Sequence, residues 1–287
     1  MAVTAEAPSQ SKPSKITLRT IRRWVDIREP FAMLTCYDAT TARWLWKGGV
    51  RCMLVGDTAA QMILGHDTTL PVTMPFMLEI TAAVRRGAPD AFVMADMPFG
   101  SYQCGEDEAV RHAVAFLKQA GADAVKLEVD GRHASLVGRL ASAGVPVVGH
   151  LGSRPQQVRA QGGYRRAGCT PAEAVDLVDA AELLVQQGAL MLLLEAVPNE
   201  VSEQVIAITK TAAPDHVVPV IGCGAGNACH GHVVVLHDLI GMTDWRPPFA
   251  PPLAGIGQEI QQTARDWVEL VRSGEYLRHD HPYRMRP

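Results

Sequence analysis

Eight short apolar runs along the chain are typical of β-strands, and at least five of them end in a charged or ionisable residue. The runs are rich in Val and Leu, as parallel strands covered on both faces must be. An unpaired buried charge costs several kcal/mol or more, so the side chains at these ends must reach a shared polar mouth. In a (β/α)8 barrel that mouth is the C-terminal face, where catalytic residues lie. The residues concerned are Asp57, Asp96, Lys126 with Glu128, His150 and Glu195.

Helical patterns fill most of the gaps between the predicted strands. This alternation indicates right-handed crossovers and a parallel sheet, and eight strands favour closure into an α/β, (β/α)8 TIM barrel. We expect an N-terminal helix at 17–26 and a C-terminal helical extension at 256–273. The chain of 287 residues suits one such barrel, so we predict a disordered leader at 1–15 and a single catalytic domain at 16–287. The strands are predicted at 31–36, 52–57, 91–96, 124–129, 146–151, 190–196, 218–221 and 232–236.

Local signals place several helix ends. Thr170-Pro171-Ala172-Glu173 combines an N-cap Thr, a first-turn Pro and a capping Glu, so a helix should begin there and run to residue 188. Asn199 is a residue type that caps helices, and we expect it to cap the helix after strand six. The connection at 152–170 exceeds ordinary loop lengths and is a candidate lid or substrate loop.

Composition excludes several classes of partner. The formal net charge is −3, and no basic arm or patch is present, which argues against nucleic-acid binding. No apolar run reaches the roughly 20 residues that span a bilayer. The six cysteines lack CxxC spacing and are expected to be reduced thiols in a cytoplasmic protein. These features favour a protein that acts on small molecules.

Three of the strand-end residues are carboxylates on neighbouring strands. Asp57, Asp96 and Glu128 would form an all-oxygen set at the barrel mouth, which suits Mg²⁺ with waters and a chelating substrate in its other positions. The alternative is that each acid is a solvated loop residue or pairs with an Arg.

Lys126 and Glu128 are two residues apart in one apolar strand, so both point to the same side. A Lys inside the mouth could neutralise a substrate carboxylate or stabilise an enolate oxygen. The alternative is an ion pair with Glu128 or Asp96.

His150 and Glu195 complete the candidate site. His150 could hydrogen-bond a substrate oxygen, or it could be a satisfied core histidine. Glu195 follows four apolar residues, so desolvation should raise its pKa and suit it to remove a carbon-bound proton. The alternative role for Glu195 is a structural hydrogen-bond acceptor.

Two further motifs give weaker evidence for a ligand site than the strand-end residues do. Gly222-Cys223-Gly224-Ala225-Gly226-Asn227 lacks the context of a dinucleotide loop, so barrel packing or close approach to an anionic ligand is favoured. The spacing of four residues that could bind zinc fits no standard closed site. These are Cys229, His230, His232 and His237.

Over roughly residues 15 to 283 the chain resembles the ketopantoate hydroxymethyltransferase family. The segments that carry this resemblance are Leu34-Thr35-Cys36-Tyr37-Asp38, Leu54-Val55-Gly56-Asp57, Gly65-His66-Asp67-Thr68-Thr69-Leu70-Pro71-Val72-Thr73, Val84-Arg85-Arg86-Gly87-Ala88-Pro89, Ala95-Asp96-Met97-Pro98-Phe99, Val125-Lys126-Leu127-Glu128, Gly149-His150-Leu151-Gly152 and Gly224-Ala225-Gly226-Asn227.

The resemblance implies a decameric (β/α)8 enzyme of pantothenate and coenzyme A synthesis. It would transfer a one-carbon unit from 5,10-methylenetetrahydrofolate to the 2-oxo acid 3-methyl-2-oxobutanoate, giving 2-dehydropantoate, with Mg²⁺ as the metal. The family's roles carry over to this chain by position. Asp57 and Asp96 match metal ligands, Glu128 matches an acid that reaches the metal through water, Thr58 and Lys126 match substrate contacts, Glu195 matches the proton acceptor, and His150 lines the pocket.

The chain also departs from the family pattern. Thr58 stands where Ser is usual, Val129-Asp130 replaces Gly-Gly, and Cys229-His230-Gly231-His232 replaces Thr-Asp-Gly-Gln. These changes leave two alternatives to the leading hypothesis. One is a paralogue with the same enolate chemistry, by hydroxymethylation or retro-aldol cleavage, on a different 2-oxo acid. The other is a non-catalytic homologue that binds a keto acid or serves as an assembly subunit.

Overall fold

The structure is a computed structural model that describes residues 14–277. Eight parallel strands form a closed barrel in sequential order, which confirms the predicted (β/α)8 fold. The strands are β1 (Phe31–Thr35), β2 (Cys52–Val55), β3 (Phe92–Asp96), β4 (Ala124–Glu128), β5 (Val147–Gly152), β6 (Met191–Glu195), β7 (Val220–Cys223) and β8 (Gly231–Val234).

Eleven α-helices among the described residues precede, connect and follow these strands. They are α1 (Leu18–Asp26), α2 (Ala39–Lys47), α3 (Ala59–Met62), α4 (Met74–Gly87), α5 (Glu106–Lys118), α6 (Ala134–Ser142), α7 (Val158–Gln161), α8 (Pro171–Gln186), α9 (Asn199–Ala212), α10 (Leu236–Leu239) and α11 (Ile256–Ser273). The α8 start follows the predicted capping box, because Thr170 Oγ1 accepts from the Glu173 N–H and the Glu173 carboxylate accepts from the Thr170 N–H.

The predicted cap at Asn199 is wrong. Pro198 occupies the N-cap of α9, and Asn199 is the first helical residue. Its Oδ1 instead accepts a hydrogen bond from the Ala228 N–H at 3.0 Å, so the side chain joins α9 to the loop after β7. The long connection at 152–170 is also partly helical, since it contains a 3-10 turn at Pro155–Gln157 followed by α7.

The register of the strands brings the charged strand ends together. Asp96 of β3 pairs with Lys126 of β4, and Glu128 of β4 pairs with His150 of β5. On the next strand, Glu195 pairs with Gly152 of β5. Neighbouring parallel strands therefore present these side chains at one end of the barrel.

The opposite end of the barrel is filled with apolar side chains. The inner cluster combines residues from the strands with Ile16 and the fully buried Ile21 of α1. Thr17 begins α1 with a side-chain cap, as expected for a Thr before the first helical residue. Among the described residues, this apolar cluster and α1 fill the N-terminal end of the barrel, and the polar strand ends lie at the opposite end. A larger outer cluster packs the strands against the surrounding helices.

The chain divides into two compact units between Val233 and Val234. The second unit contains α10 and α11, and the Trp267 ring packs edge to face on Tyr276 with centroids 4.5 Å apart. A single catalytic domain over 16–287 stays a prediction. The expected leader lies outside the described residues except for Ser14 and Lys15.

None of the described helices is both long and apolar enough to cross a membrane.

Asp123, just before β4, links three segments at the N-terminal end of the barrel. Its Oδ2 accepts from the Val93 N–H at 2.8 Å and from Lys15 Nζ at 2.9 Å, and it also pairs with Arg85. Lys15 Nζ donates in addition to the Ala91 carbonyl at 2.6 Å. The carboxylate thus satisfies one backbone donor and two cations.

Replacing this carboxylate should destabilise the fold. We expect Asp123→Ala to lower the free energy of unfolding by about 2 to 3 kcal/mol, because a backbone donor and two part-buried cations lose their acceptor. The measurement is urea denaturation followed by circular dichroism. Asp107→Ala, which removes an exposed pair with Arg139, is the control and should cost at most about 1 kcal/mol. Equal small losses in both variants would contradict the assigned role of Asp123.

Candidate active site

Asp57 and Asp96 lie side by side at the ends of β2 and β3, and both are buried. The Asp57 N–H donates to Asp96 Oδ2 at 3.0 Å, which fixes the two carboxylates relative to each other. Burial, and next the Asp96 charge, raises the pKa of Asp57 to about 7. The free protein therefore holds a carboxyl group that titrates near neutral pH.

Lys126 is buried among these acids. Its Nζ lies 2.9 Å from Asp96 Oδ1 and 3.3 Å from His150 Nδ1. Burial disfavours the charged form, but the charges of Asp96, Asp57 and Glu128 outweigh it and raise the pKa of Lys126. The ammonium group therefore stays charged at neutral pH. It forms an ion pair with Asp96, which was one of the alternatives considered in the sequence analysis. The ammonium group has three N–H donors, so this ion pair still allows one of them to donate to a ligand.

Glu128 is held by Gln156, a residue of the long connection after β5 that the sequence analysis did not single out. Both carboxylate oxygens accept from the Gln156 N–H, at 3.2 and 3.0 Å. Burial, and then the Asp57 charge, raises the pKa of Glu128 well above its ordinary range. Glu128 is thus a buried acid beside Asp57, as predicted from its position at the end of β4.

The amide of Gln156 links the acids to one another. Nε2 donates to Asp57 Oδ2 at 2.9 Å and to the Met97 carbonyl at 3.0 Å, while Oε1 accepts from the Tyr102 hydroxyl at 2.6 Å. Sequence reasoning missed Gln156 and Tyr102, because a polar residue in a loop is ordinarily solvated. The one available signal was the length of the 152–170 connection, on which Gln156 lies.

His150 and Glu195 form a pair on β5 and β6. His150 Nε2 lies 3.3 Å from Glu195 Oε2. Since Lys126 Nζ is only a donor, His150 Nδ1 must accept from it, and the imidazole proton is assigned to Nε2. Burial, and then the Lys126 charge, lowers the pKa of His150, so the ring is neutral at pH 7. The Nε2–H lies near the Glu195 carboxylate but makes no hydrogen bond of good geometry with it.

Glu195 is less buried than the sequence suggested. A quarter of its side chain is exposed, whereas the side chains of Asp96 and Glu128 are 4% and 3% exposed. The apolar run before it belongs to the strand, but the carboxylate lies past the packed layer at the open mouth. Glu195 is thus the acid of the site that is best placed to meet a small molecule entering from solvent.

The charges at the mouth fit a divalent cation. Three buried carboxyl groups, on Asp57, Asp96 and Glu128, face one permanent cation, Lys126. Asp96 Oδ1 is buried and accepts no hydrogen bond of good geometry, although Nζ of Lys126 is near. Buried acceptors are normally satisfied, and carboxylate oxygens suit Mg²⁺, which needs only one or two of them.

The described residues contain no ready-made group of three or more His, Cys, Asp and Glu side chains placed to hold a metal ion. A metal here would thus take Asp57 and Asp96 oxygens and complete its shell with water and substrate, while Glu128 remains behind water. The four residues considered for zinc do not form such a group either, and His230 Nδ1 instead accepts from the Val220 N–H at 3.0 Å.

Two of the unusual residues have structural explanations. Val129 is fully buried in the outer core, where its Cγ2 lies 3.5 Å from the position that a Cβ on Gly149 would take. The hydroxyl of Thr58 lies 2.7 Å from the Tyr37 hydroxyl, which orients it beside Asp57.

The glycine-rich segment after β7 packs against a helix. Gly226 has φ +78, and a Cβ there would lie 2.3 Å from Asn199 Oδ1. Close packing against α9 therefore accounts for this glycine, as the barrel-packing interpretation expected.

Cation binding should depend on pH through Asp57. Below pH 7 a proton on Asp57 competes with the metal, so the Mg²⁺ association constant should rise up to about tenfold per pH unit to about pH 7 and then level off. Calorimetric titration of the metal-free protein between pH 5.5 and 8.5 measures this profile.

Two variants make the pH test specific. Asp57→Asn should bind Mg²⁺ weakly at every pH. Gln156→Leu should move the midpoint to higher pH, because the charged Asp57 loses the amide donor that stabilises it. A wild-type profile that is flat across this range would contradict the role assigned to Asp57.

Comparison with known proteins agrees with the geometry. The family model described as ketopantoate hydroxymethyltransferase matches residues 15–278. The chain is 40% identical over 276 residues to 3-methyl-2-oxobutanoate hydroxymethyltransferase of Syntrophus aciditrophicus (strain SB), covering 96% of this chain and 99% of that protein. It is 44% identical over 247 residues to the enzyme of that name from Synechococcus sp. (strain RCC307), covering 86% and 88%.

Among solved structures, 2,3-dimethylmalate lyase, a PEP mutase/isocitrate lyase superfamily member, superposes with a TM-score of 0.58 at 16% identity, covering 91% of this chain and 88% of that one. At this identity the likeness shows a shared fold. The family match spans both the barrel and the strand ends that carry the buried acids. The chain therefore belongs to the ketopantoate hydroxymethyltransferase family.

Proposed function

We propose that the protein transfers a one-carbon unit from 5,10-methylenetetrahydrofolate to 3-methyl-2-oxobutanoate and so makes 2-dehydropantoate for pantothenate synthesis. The observation that carries this proposal is the Glu195–His150 pair, 3.3 Å apart, beside a buried lysine and three buried acids. A base next to a charge-stabilising cluster suits removal of a proton α to a carbonyl. The names of the relatives support the same reaction.

Asp57 and Asp96 would hold Mg²⁺, with Glu128 beyond a water. When bound, Mg²⁺ supplies Lewis acidity to the keto oxygen of a substrate that chelates it. The balance of charge supports this placement, because three buried carboxyl groups lie beside a single lysine, Lys126, which is already paired with Asp96.

The proton transfer follows from the positions of the side chains. The Glu195 carboxylate takes the proton from C3, and the electron pair of the broken C–H bond becomes the C2–C3 double bond of an enolate. The Lys126 ammonium donates to the substrate oxygen on which charge develops. His150 Nε2 lies 3.3 Å from Glu195 Oε2 and makes no hydrogen bond of good geometry, so a small movement of the carboxylate would let the Nε2–H donate to it and orient it.

Water hydrolyses both C–N bonds of the donor's methylene group, so that each nitrogen keeps its bonding electron pair and takes one proton of the water, and the one-carbon unit is released as formaldehyde. The enolate C3 then attacks the formaldehyde carbon, the C=O π pair moves to the oxygen, and that oxygen takes the proton that Glu195 holds. The half-exposed Tyr164 lies on the connection after α7 that we propose as the lid. Its closure would limit the access of further water to the enolate.

The proton step can be measured without the folate. In D₂O with Mg²⁺, the wild type should exchange the C3 hydrogen of 3-methyl-2-oxobutanoate, and proton NMR follows the loss of the signal. Glu195→Gln should slow this exchange by about 10²- to 10⁴-fold, because the amide cannot accept the proton. Removing Mg²⁺ with EDTA should stop wild-type exchange as well.

Glu200→Gln, an exposed glutamate on α9, is the matched control and should exchange at the wild-type rate. Substrate binding by Glu195→Gln is checked by calorimetry, so that loss of the base is separated from loss of the site. Exchange at the wild-type rate in Glu195→Gln would identify a different base. No exchange by folded wild-type protein with Mg²⁺ would overturn the proposed function.

We also propose, from the family resemblance, that the enzyme is a cytoplasmic homo-oligomer, a decamer. No part of the reaction chemistry above depends on the subunit count.

A further inference from the structure

An ion pair joins the two connections that carry Glu128 and Gln156. Asp130 lies two residues after Glu128, and Arg154 lies two residues before Gln156. Arg154 Nη1 donates to Asp130 Oδ2 at 2.5 Å. Close by, the Gln156 N–H donates to the Glu128 carboxylate at 3.0 Å. The connections after β4 and β5 are thus joined at two neighbouring points, one of which belongs to the candidate active site.

The stretch from Arg154 to Gln156 is short and has little conformational freedom. Pro155 lies between them, and its ring fixes the backbone φ angle. Arg154 is the N-cap of the 3-10 turn Pro155–Gln157, and its carbonyl accepts from the Gln157 N–H at 2.9 Å. A displacement of Arg154 would therefore carry Gln156 with it.

The position of Gln156 matters because this residue reaches two acids of the site. Its Nε2 donates to Asp57 Oδ2 at 2.9 Å, while its backbone N–H donates to Glu128. Hydrogen-bond partners that orient ligating carboxylates contribute to metal affinity. A group that holds Gln156 in place therefore acts on the metal site without touching it.

The two arginines that pair with Asp130 differ in their surroundings. The Arg154 side chain is 17% exposed, and among the described residues the Asp130 carboxylate is the one hydrogen-bond acceptor of its guanidinium group. The Arg132 side chain is 78% exposed, and it belongs to the 3-10 turn that Asp130 itself caps. The Arg154 pair thus joins two connections, whereas the Arg132 pair lies within one.

We propose that the Asp130–Arg154 ion pair positions Gln156 for metal binding at the barrel mouth. Through Gln156, the pair fixes Asp57 and Glu128 in the geometry that a divalent cation requires. This inference rests on the proposed function, since it takes Asp57 as a metal ligand. It also gives a role to one departure from the family pattern, because the usual Gly at position 130 has no side chain with which to form the pair.

Calorimetric titration of Mg²⁺ into the metal-free protein at pH 7.5 tests this proposal. Arg154→Gln should weaken Mg²⁺ binding by about tenfold, the lower end of the loss seen when a partner of a ligating carboxylate is removed. Loss of a positive charge alone would tighten cation binding, so the direction of the change separates positioning from simple electrostatics. Asp130→Asn should also weaken binding, although its side-chain oxygen can still cap the 3-10 turn.

Two variants at the same pair are the controls. Arg132→Gln removes the exposed partner of Asp130 and should change the Mg²⁺ affinity by no more than about twofold. Arg154→Lys keeps a charged donor and should restore most of the affinity that Arg154→Gln loses. Thermal unfolding of each variant shows whether the fold is intact.

Hydrogen exchange of the metal-free protein, followed by mass spectrometry, gives a readout that does not depend on the cation. The peptide that contains Gln156 should exchange faster in Arg154→Gln and in Asp130→Asn than in wild type, because its N–H is held less firmly against Glu128. Arg132→Gln should leave that peptide unchanged.

A double-variant cycle asks whether Arg154 acts through Gln156. Gln156→Leu alone should weaken Mg²⁺ binding, because Asp57 loses its amide donor. Adding Arg154→Gln to Gln156→Leu should then cause a smaller loss of affinity than Arg154→Gln causes in wild type, since residues that act as a unit are not additive.

The outcomes separate this proposal from the proposed function. If wild type binds Mg²⁺ and exchanges the C3 hydrogen, but folded Arg154→Gln binds Mg²⁺ as tightly as wild type or more tightly, the positioning proposal fails and the proposed function stands. Fully additive losses in the double variant also overturn the positioning proposal. If wild type binds no Mg²⁺, with or without the keto acid, the metal site and the positioning proposal fail together.

Discussion

The burial of negative charge at one end of the barrel is the constraint on which the rest of the site depends. Asp57, Asp96 and Glu128 end adjacent strands, where hydrogen bonds from the Asp57 N–H and from Gln156 link them, and Lys126 is the permanent cation paired with them. Desolvation and mutual repulsion raise the pKa of Asp57 and of Glu128. Such a cluster is costly in the free protein, and a divalent cation would relieve that cost.

The fold holds the three buried acids in place from the barrel side and from the loop side, despite the free-energy cost of burying them. The opposite end of the barrel is filled by apolar side chains and covered by α1, so the polar strand ends occupy the C-terminal face. From the loop side, Gln156 joins Asp57 to Glu128 through its side-chain and backbone donors. A rigid arrangement of acids is what preorganised binding of a metal and a keto acid requires.

Strand-end residues could be predicted from the sequence because apolar runs that end in a charge have few ways to be packed. Asp57, Asp96, Lys126, Glu128 and His150 therefore lie where the pattern placed them. Site residues on loops could not be predicted in this way, because a loop has no hydrophobic periodicity. A buried Gln such as Gln156 therefore looks the same in the sequence as a Gln exposed to solvent. Capping residue types are equally ambiguous, as Asn199 shows, since its side-chain oxygen accepts from the loop after β7 and does not cap a backbone N–H of α9. The exposure of Glu195 depends on how far β6 extends beyond the layer of packed side chains inside the barrel. The order of apolar and polar residues in the strand does not show this length.

The central claim is that the buried acids hold a divalent cation to which the chelating 2-oxo acid also binds. Calorimetric titration of 3-methyl-2-oxobutanoate into the protein, with and without saturating Mg²⁺, tests this most directly. We predict that Mg²⁺ tightens keto-acid binding by at least about tenfold, and by linkage that the keto acid tightens Mg²⁺ binding by the same factor. Equal keto-acid affinity with and without Mg²⁺ would contradict the account.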